Sequence, residues 1–188
     1  MHLAHALLPS RFDTSRLKPI SPDAVAARDG QGTAALVAAC RLGTGAAPRH
    51  WTEFVLGRVR IEQPFACYQV DDAEAARRAC LQLDGTWRMV DASAAGRWVI
   101  RAQALWTDLA LWRAPHSGDA WDAGEAADAA SLGGFVPRRH TLVLLTGDPG
   151  PAGHRALAEL ERRAPQWRRA VRVLLVGAPW GTARHLAL

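Results

Sequence analysis

HTLVLLTG, residues 140 to 147, is an almost unbroken apolar run with polar residues at its ends, and AVRVLLVGAP, residues 170 to 179, repeats the pattern. Runs of this kind read as strands buried on both faces, the centre of a parallel sheet. Between them GHRALAELERRA (153 to 164) changes to helical spacing, with Leu157 and Leu160 on one face, and Pro165 ends it. This stretch therefore predicts a strand, a crossover helix and a second parallel strand.

The earlier pattern is more mixed. Ser21-Pro22-Asp23 is a helix start: a capping oxygen, a proline suited to the first turn and an acid at the positive dipole end. DGQG (29 to 32) interrupts, and TAALVAACRLG (33 to 43) predicts a second helix. WTEFVLGRVRI (51 to 61) and FACYQV (65 to 70) read as two strands able to form a hairpin. DDAEAARRACLQLDG (71 to 85) is a helix capped by Asp71 or Asp72. TWRMV, GRWVIRAQAL (96 to 105) and DLALWRA (108 to 114) read as strands, which places Trp98 and Trp106 in the core. GDAWDAGEAADAA (118 to 130) reads as a weaker helix, with Asp119, Asp122, Glu125 and Asp128 as an acidic stripe. The order predicts an α/β fold: a single domain, residues 21 to 188, with a mixed, partly parallel central sheet flanked by helices. Residues 1 to 20, broken by Pro9 and Pro19, are expected to be a flexible N-terminal arm.

Composition sharpens this picture in a few places. The 188 residues are 49% hydrophobic and 22% charged, as in an ordinary globular domain that can bury its own core. No apolar run approaches the roughly 20 residues of a membrane span, and the N-terminus lacks the pattern of a secretory signal. Cys40, Cys67 and Cys80 form no CxxC pair, so a reduced, cytoplasmic chain of bacterial type is expected. Of the 23 basic residues only Lys18 is lysine, a bias that GC-rich coding produces without selection for nucleic acid. The formal charge of +5 is unevenly spread: net +3 over residues 1 to 70, −4 over 71 to 135 and +6 over 136 to 188.

Several stretches resemble catalytic or ligand-binding motifs, and most fail on spacing. LLTGDPGPAGH has the outline of a phosphate loop, but Ala152 and Gly153 stand where the second glycine and the lysine belong. What remains is an anion-binding expectation at a helix N-terminus: Gly147, Gly150, Gly153 and His154. DGQGTAA has dinucleotide-loop spacing without a preceding strand. CRLGTG puts Cys40 beside an arginine, a weak thiol-chemistry signal. There is no HExxH pattern and no nucleophile elbow, and Asp91 and Asp148 at strand ends read as helix caps. Neither a metal nor a cofactor is expected. The strongest feature is ERRAPQWRRAVR, residues 161 to 172. Arg162, Arg163, Arg168, Arg169 and Arg172 surround Trp167 there, Arg138 and Arg139 precede the best strand, and Trp180 follows the last one. Arginine grips carboxylates and phosphates, and tryptophan is enriched at binding hot spots. The expectation is a non-catalytic interaction or accessory protein that binds an anionic partner. An acidic protein surface, including another copy of the chain, is preferred to nucleic acid. The alternative is a degenerate nucleotide-binding domain or enzyme using the 147–154 loop.

Overall fold

The computed structural model describes residues 16–28, 30, 32, 64–83, 93–96, 98, 99, 102, 106, 121–137, 139–167, 169–177, 181 and 183–185. Six strands among them form one sheet: β1 (Leu17–Pro19), β2 (Phe65–Val70), β3 (Trp121–Ala126), β4 (His140–Thr146), β5 (Val171–Val176) and β6 (Arg184–His185). Their order is β1-β3-β4-β5-β2-β6. β1 runs antiparallel to β3, and the other neighbouring pairs are parallel. The domain is α/β with a mixed, mostly parallel sheet, as the hydrophobic pattern predicts.

Alternation along the strands divides the core in two. Tyr68, Val70, Ala123, Leu142, Leu144 and Leu174 point to one face, where α1 (Pro22–Arg28) and α2 (Ala73–Leu83) cover them with Val25, Ala26, Ala76, Ala79, Cys80 and Leu81. Cys67, Val143, Leu145, Val171, Val173 and Leu175 point to the other face. There α3 (Gly150–Arg163) packs Leu157 and Leu160 on them, together with Leu132 and Phe135 from the β3–β4 connection. β4 and β5 are therefore apolar at successive positions because both of their faces are covered. Each fully buried leucine contributes about 1.5–3 kcal/mol of apolar burial.

The β4–α3–β5 unit forms as expected, with Thr141 through Thr146 in parallel register with Val171 through Val176. α1 and α2 also form, capped as read. Ser21 Oγ accepts from the Ala24 N–H at 3.4 Å, and Asp72 Oδ1 accepts from Glu74 and Ala75 at 2.8 and 3.2 Å. The elements expected over residues 33–43, 51–61, 86–90 and 108–114 lie outside the described residues.

Four expectations are corrected. β2 has β5 on one side and β6 on the other, both parallel, so its described pairings are not those of a hairpin. The acidic stripe is not helical: residues 121 to 126 are β3, held between β1 and β4. That pairing overrides the weak strand propensity of WDAGEA and sends Asp122 and Glu125 to opposite faces of the sheet. Within the strand expected at 96–105, Gly96, Trp98, Val99 and Ala102 are helical, as is Trp106 just after it. Trp98 and Trp106 are 71% and 59% exposed rather than in the core. Finally, residues 17 to 19, expected in the arm, add a strand to the sheet edge. Leu17 is fully buried, and Arg16 donates to the Ser131 and Gly133 carbonyls. Edge strands tolerate proline, which is why Pro19 does not prevent this.

Candidate functional sites at the two edges of the sheet

The parallel strands give the domain two chemically different ends. After each of the parallel strands β2, β3 and β4 a helical turn begins at the carboxyl edge of the sheet, where an acid caps free N–H groups. Asp72 does so after β2, Asp128 Oδ1 accepts from the Ser131 N–H at 2.6 Å after β3, and Asp148 Oδ1 accepts from Gly150 at 3.0 Å after β4. The end of α3 lies at the amino edge, with Arg162 and Arg163 in its last turn. Arg162 and Arg163 complement the negative end of the α3 dipole.

At the amino edge the predicted partner-binding residues divide. Arg139 and Arg172 are 7% and 4% exposed. Arg139 lies 3.8 Å from the Asp122 carboxylate of the neighbouring strand. Arg172 sits on the same face as Leu174, donates from NH1 to the Val171 carbonyl and has no hydrogen bond at Nε. Burial lowers its pKa below the ordinary arginine value. Neither guanidinium lies on the surface. Arg162 is exposed and binds Glu159 through two N–H groups at 3.0 and 2.7 Å. Arg163 stands over the Trp167 ring at 5.8 Å, a cation–π distance. Trp167 is half-buried, with part of its surface packed on the α3-side core. Arg169 is half-buried beside it in sequence. Arg162, Arg163, Trp167 and Arg169 are thus brought to one edge. Arg138, Arg168 and Trp180 lie outside the described residues.

The anion loop is a tight turn. β4 ends at Thr146 and α3 begins at Gly150. Gly147 and Gly150 take φ values of +93° and +59°, which only glycine adopts easily. The Gly150 N–H is already used by Asp148, and Pro151 has none to offer. Gly153 and His154 belong to the helix itself. Gly153 is buried where the helix meets Ala129, and His154 is exposed.

At the carboxyl edge, on the α1–α2 face, lies a cavity of about 380 Å³ that the sequence did not reveal. Its polar wall includes Lys18, Ser21, Arg28, Arg77, Glu125 and Thr146. Arg77 is clamped, with NH2 to Glu125 Oε1 at 2.9 Å, Nε to Glu125 Oε2 at 3.4 Å and NH1 to Glu74 Oε1 at 2.6 Å. The hydrogen bonding it donates to Glu125 is the main reason its pKa rises above the ordinary arginine value. Thr146 Oγ1 donates to Glu125 Oε1 at 3.2 Å, and Arg28 NH1 reaches Glu74 Oε1 at 2.9 Å. Lys18 is the cross-strand partner of Glu125. The one sequence signal for this cavity is the solitary lysine, Lys18.

The two described cysteines, Cys67 and Cys80, are buried free thiols. Burial, then the charge of Glu161, pushes the Cys67 thiol up to about 12. Cys80 is buried too, and Cys40 lies outside the described residues. In a Cys40→Ser chain, thiol reagents at neutral pH are expected to leave both buried cysteines unmodified over the time in which the unfolded chain reacts fully. The linked pH effect has a definite sign. The native state keeps the Cys67 proton while the unfolded chain loses it, so this contribution to stability is intact below about pH 9 and declines toward pH 12. Urea melts across that range, with Cys67→Ala as control, check it. Among the described residues no group of three or more His, Cys, Asp or Glu is placed to hold a metal, and no helix is long and apolar enough to cross a membrane.

Comparison of the chain with protein-family models, curated proteins and solved structures finds no match, so the functional reading rests on this geometry.

Proposed function

We propose that the chain is a non-catalytic interaction or accessory protein of the cytoplasm, whose basic amino edge docks an acidic protein surface. The observation that carries this reading is the Arg163–Trp167 stack, with Arg162 and Arg169 on the same edge. A stacked guanidinium keeps its outer N–H groups free for carboxylates while the indole limits its motion, which lowers the entropy cost of binding. A protein partner is preferred to nucleic acid because the burial of Arg139 and Arg172 removes two of the expected phosphate contacts. Nucleic-acid proteins whose binding falls steeply with salt make about 6–10 such contacts. The nucleotide-loop alternative loses support from the same structure, since Asp148 and Pro151 leave few N–H donors at the start of α3.

Fluorescence anisotropy with a labelled glutamate-rich peptide and with single-stranded oligo-dT tests the reading. The peptide is expected to bind saturably and to retain binding at physiological salt. Oligo-dT is expected to bind more weakly, and to lose what binding it has as salt rises. Preferential, salt-sensitive binding of the oligonucleotide would transfer the edge to nucleic acid.

A further inference from the structure

The carboxyl-edge cavity plays no part in the interaction reading and lies at the opposite end of the sheet. Three cations, Lys18, Arg28 and Arg77, and one carboxylate, Glu125, line it. Arg77 is committed to Glu125 and Glu74, so it serves as scaffold rather than as a ligand donor. Arg28 spends one N–H on Glu74 Oε1, and its side chain is 55% exposed, leaving donors toward solvent. Lys18 is exposed and makes no hydrogen bond or ion pair among the described residues, although Glu125 is its cross-strand neighbour. Glu125 is turned instead into the Arg77 fork and the Thr146 hydroxyl.

We propose that this cavity binds a small ligand bearing an oxyanion, a carboxylate or a phosphomonoester, held between Lys18 and Arg28. The committed Arg77–Glu125 pair forms the floor, and Thr146 and Glu125 can accept from a hydroxyl or amine elsewhere on the ligand. Three features point the same way. The wall carries a surplus of positive charge. Its volume of about 380 Å³ falls in the range of small-molecule sites, roughly 300–1,000 Å³. It also sits outside the carboxyl ends of β3 and β4, the edge at which open α/β sheets build ligand sites. The composition adds a further pointer. Every other basic residue of the chain is arginine, and the solitary lysine faces this cavity. A compact ammonium beside Glu125 suits a small anion better than a planar fork already matched to that carboxylate.

Thermal melting in sodium phosphate and in sodium acetate, each against sodium chloride of equal ionic strength, tests the site. One of the two anions is expected to raise Tm by about 3–6 °C at ten times its Kd, and which one does so identifies the ligand class. The rise is read against each variant's own ligand-free Tm, so a change in stability does not obscure it. Lys18→Met and Arg28→Met are expected to abolish it, and Lys18→Arg to restore part of it. Arg155→Met, on the exposed side of α3, is expected to leave it intact. Absence of a chloride-corrected rise up to tens of millimolar anion would overturn the proposal, as would an undiminished rise in Lys18→Met.

Discussion

Replacing Asp122 by alanine is expected to destabilise the fold by about 3–5 kcal/mol, because it removes the carboxylate beside a buried guanidinium. Asp122 and Arg139 have side chains only 5% and 8% exposed, at the amino ends of β3 and β4. A charge taken out of water at that depth needs its counter-charge, and loss of one partner costs far more than the pair contributes net. For a chain of this size the loss corresponds to a fall in Tm of roughly 6–20 °C. Asp122→Asn, which keeps an acceptor but not the charge, is expected to lie between wild type and Asp122→Ala. Were the residue part of a solvated acidic stripe, as its spacing suggests, either change would stay within about 0.5 kcal/mol. Urea melts of the two variants separate the cases.

The second large effect is expected at Gly153. A Cβ there would lie 2.4 Å from the Ala129 Cβ and 2.9 Å from that of Pro149, distances that no packed methyl group tolerates. The start of α3 approaches the β3–β4 connection this closely because position 153 has no side chain. Gly153→Ala is therefore expected to cost about 1–3 kcal/mol through overpacking, despite alanine's better helix propensity. Ala129→Gly removes the nearer obstacle, so the double variant should recover part of the loss, with a coupling of about 0.5–3 kcal/mol. A glycine serving only an anion cradle would show neither the stability loss nor the rescue.

These residues show what the pattern of apolar and polar positions could and could not reveal. β4, α3 and β5 were legible because burial on both faces of the sheet and on one face of the helix writes different periods into the chain. β3 was not, because WDAGEA carries glycine, alanine and acids, and its strand conformation comes from neighbours far away in sequence. The i, i+3 acid spacing then imitates a helix face. The tryptophans near residue 100 mislead in the other direction, since their strand propensity suggested burial where Trp98 and Trp106 are exposed. At the amino edge, clustering in sequence located the arginines without saying which way each points. Alternation along β5 turns Arg172 in beside Leu174, while Arg163 at the end of α3 meets Trp167. The carboxyl-edge cavity draws on β1, α1, α2, β3 and β4, and no local motif could have assembled it.

The central claim is that the amino edge docks an acidic surface, and charge reversal at that edge tests it most directly. The Kd of the glutamate-rich peptide would be measured for wild type and for the triple variant Arg162→Glu, Arg163→Glu, Arg169→Glu, with folding of both verified by urea melts. At least a tenfold weakening, on the order of 1.4 kcal/mol, is expected, since three attractive contacts become repulsive ones. An unchanged Kd, or no saturable binding by the wild-type chain, would contradict it.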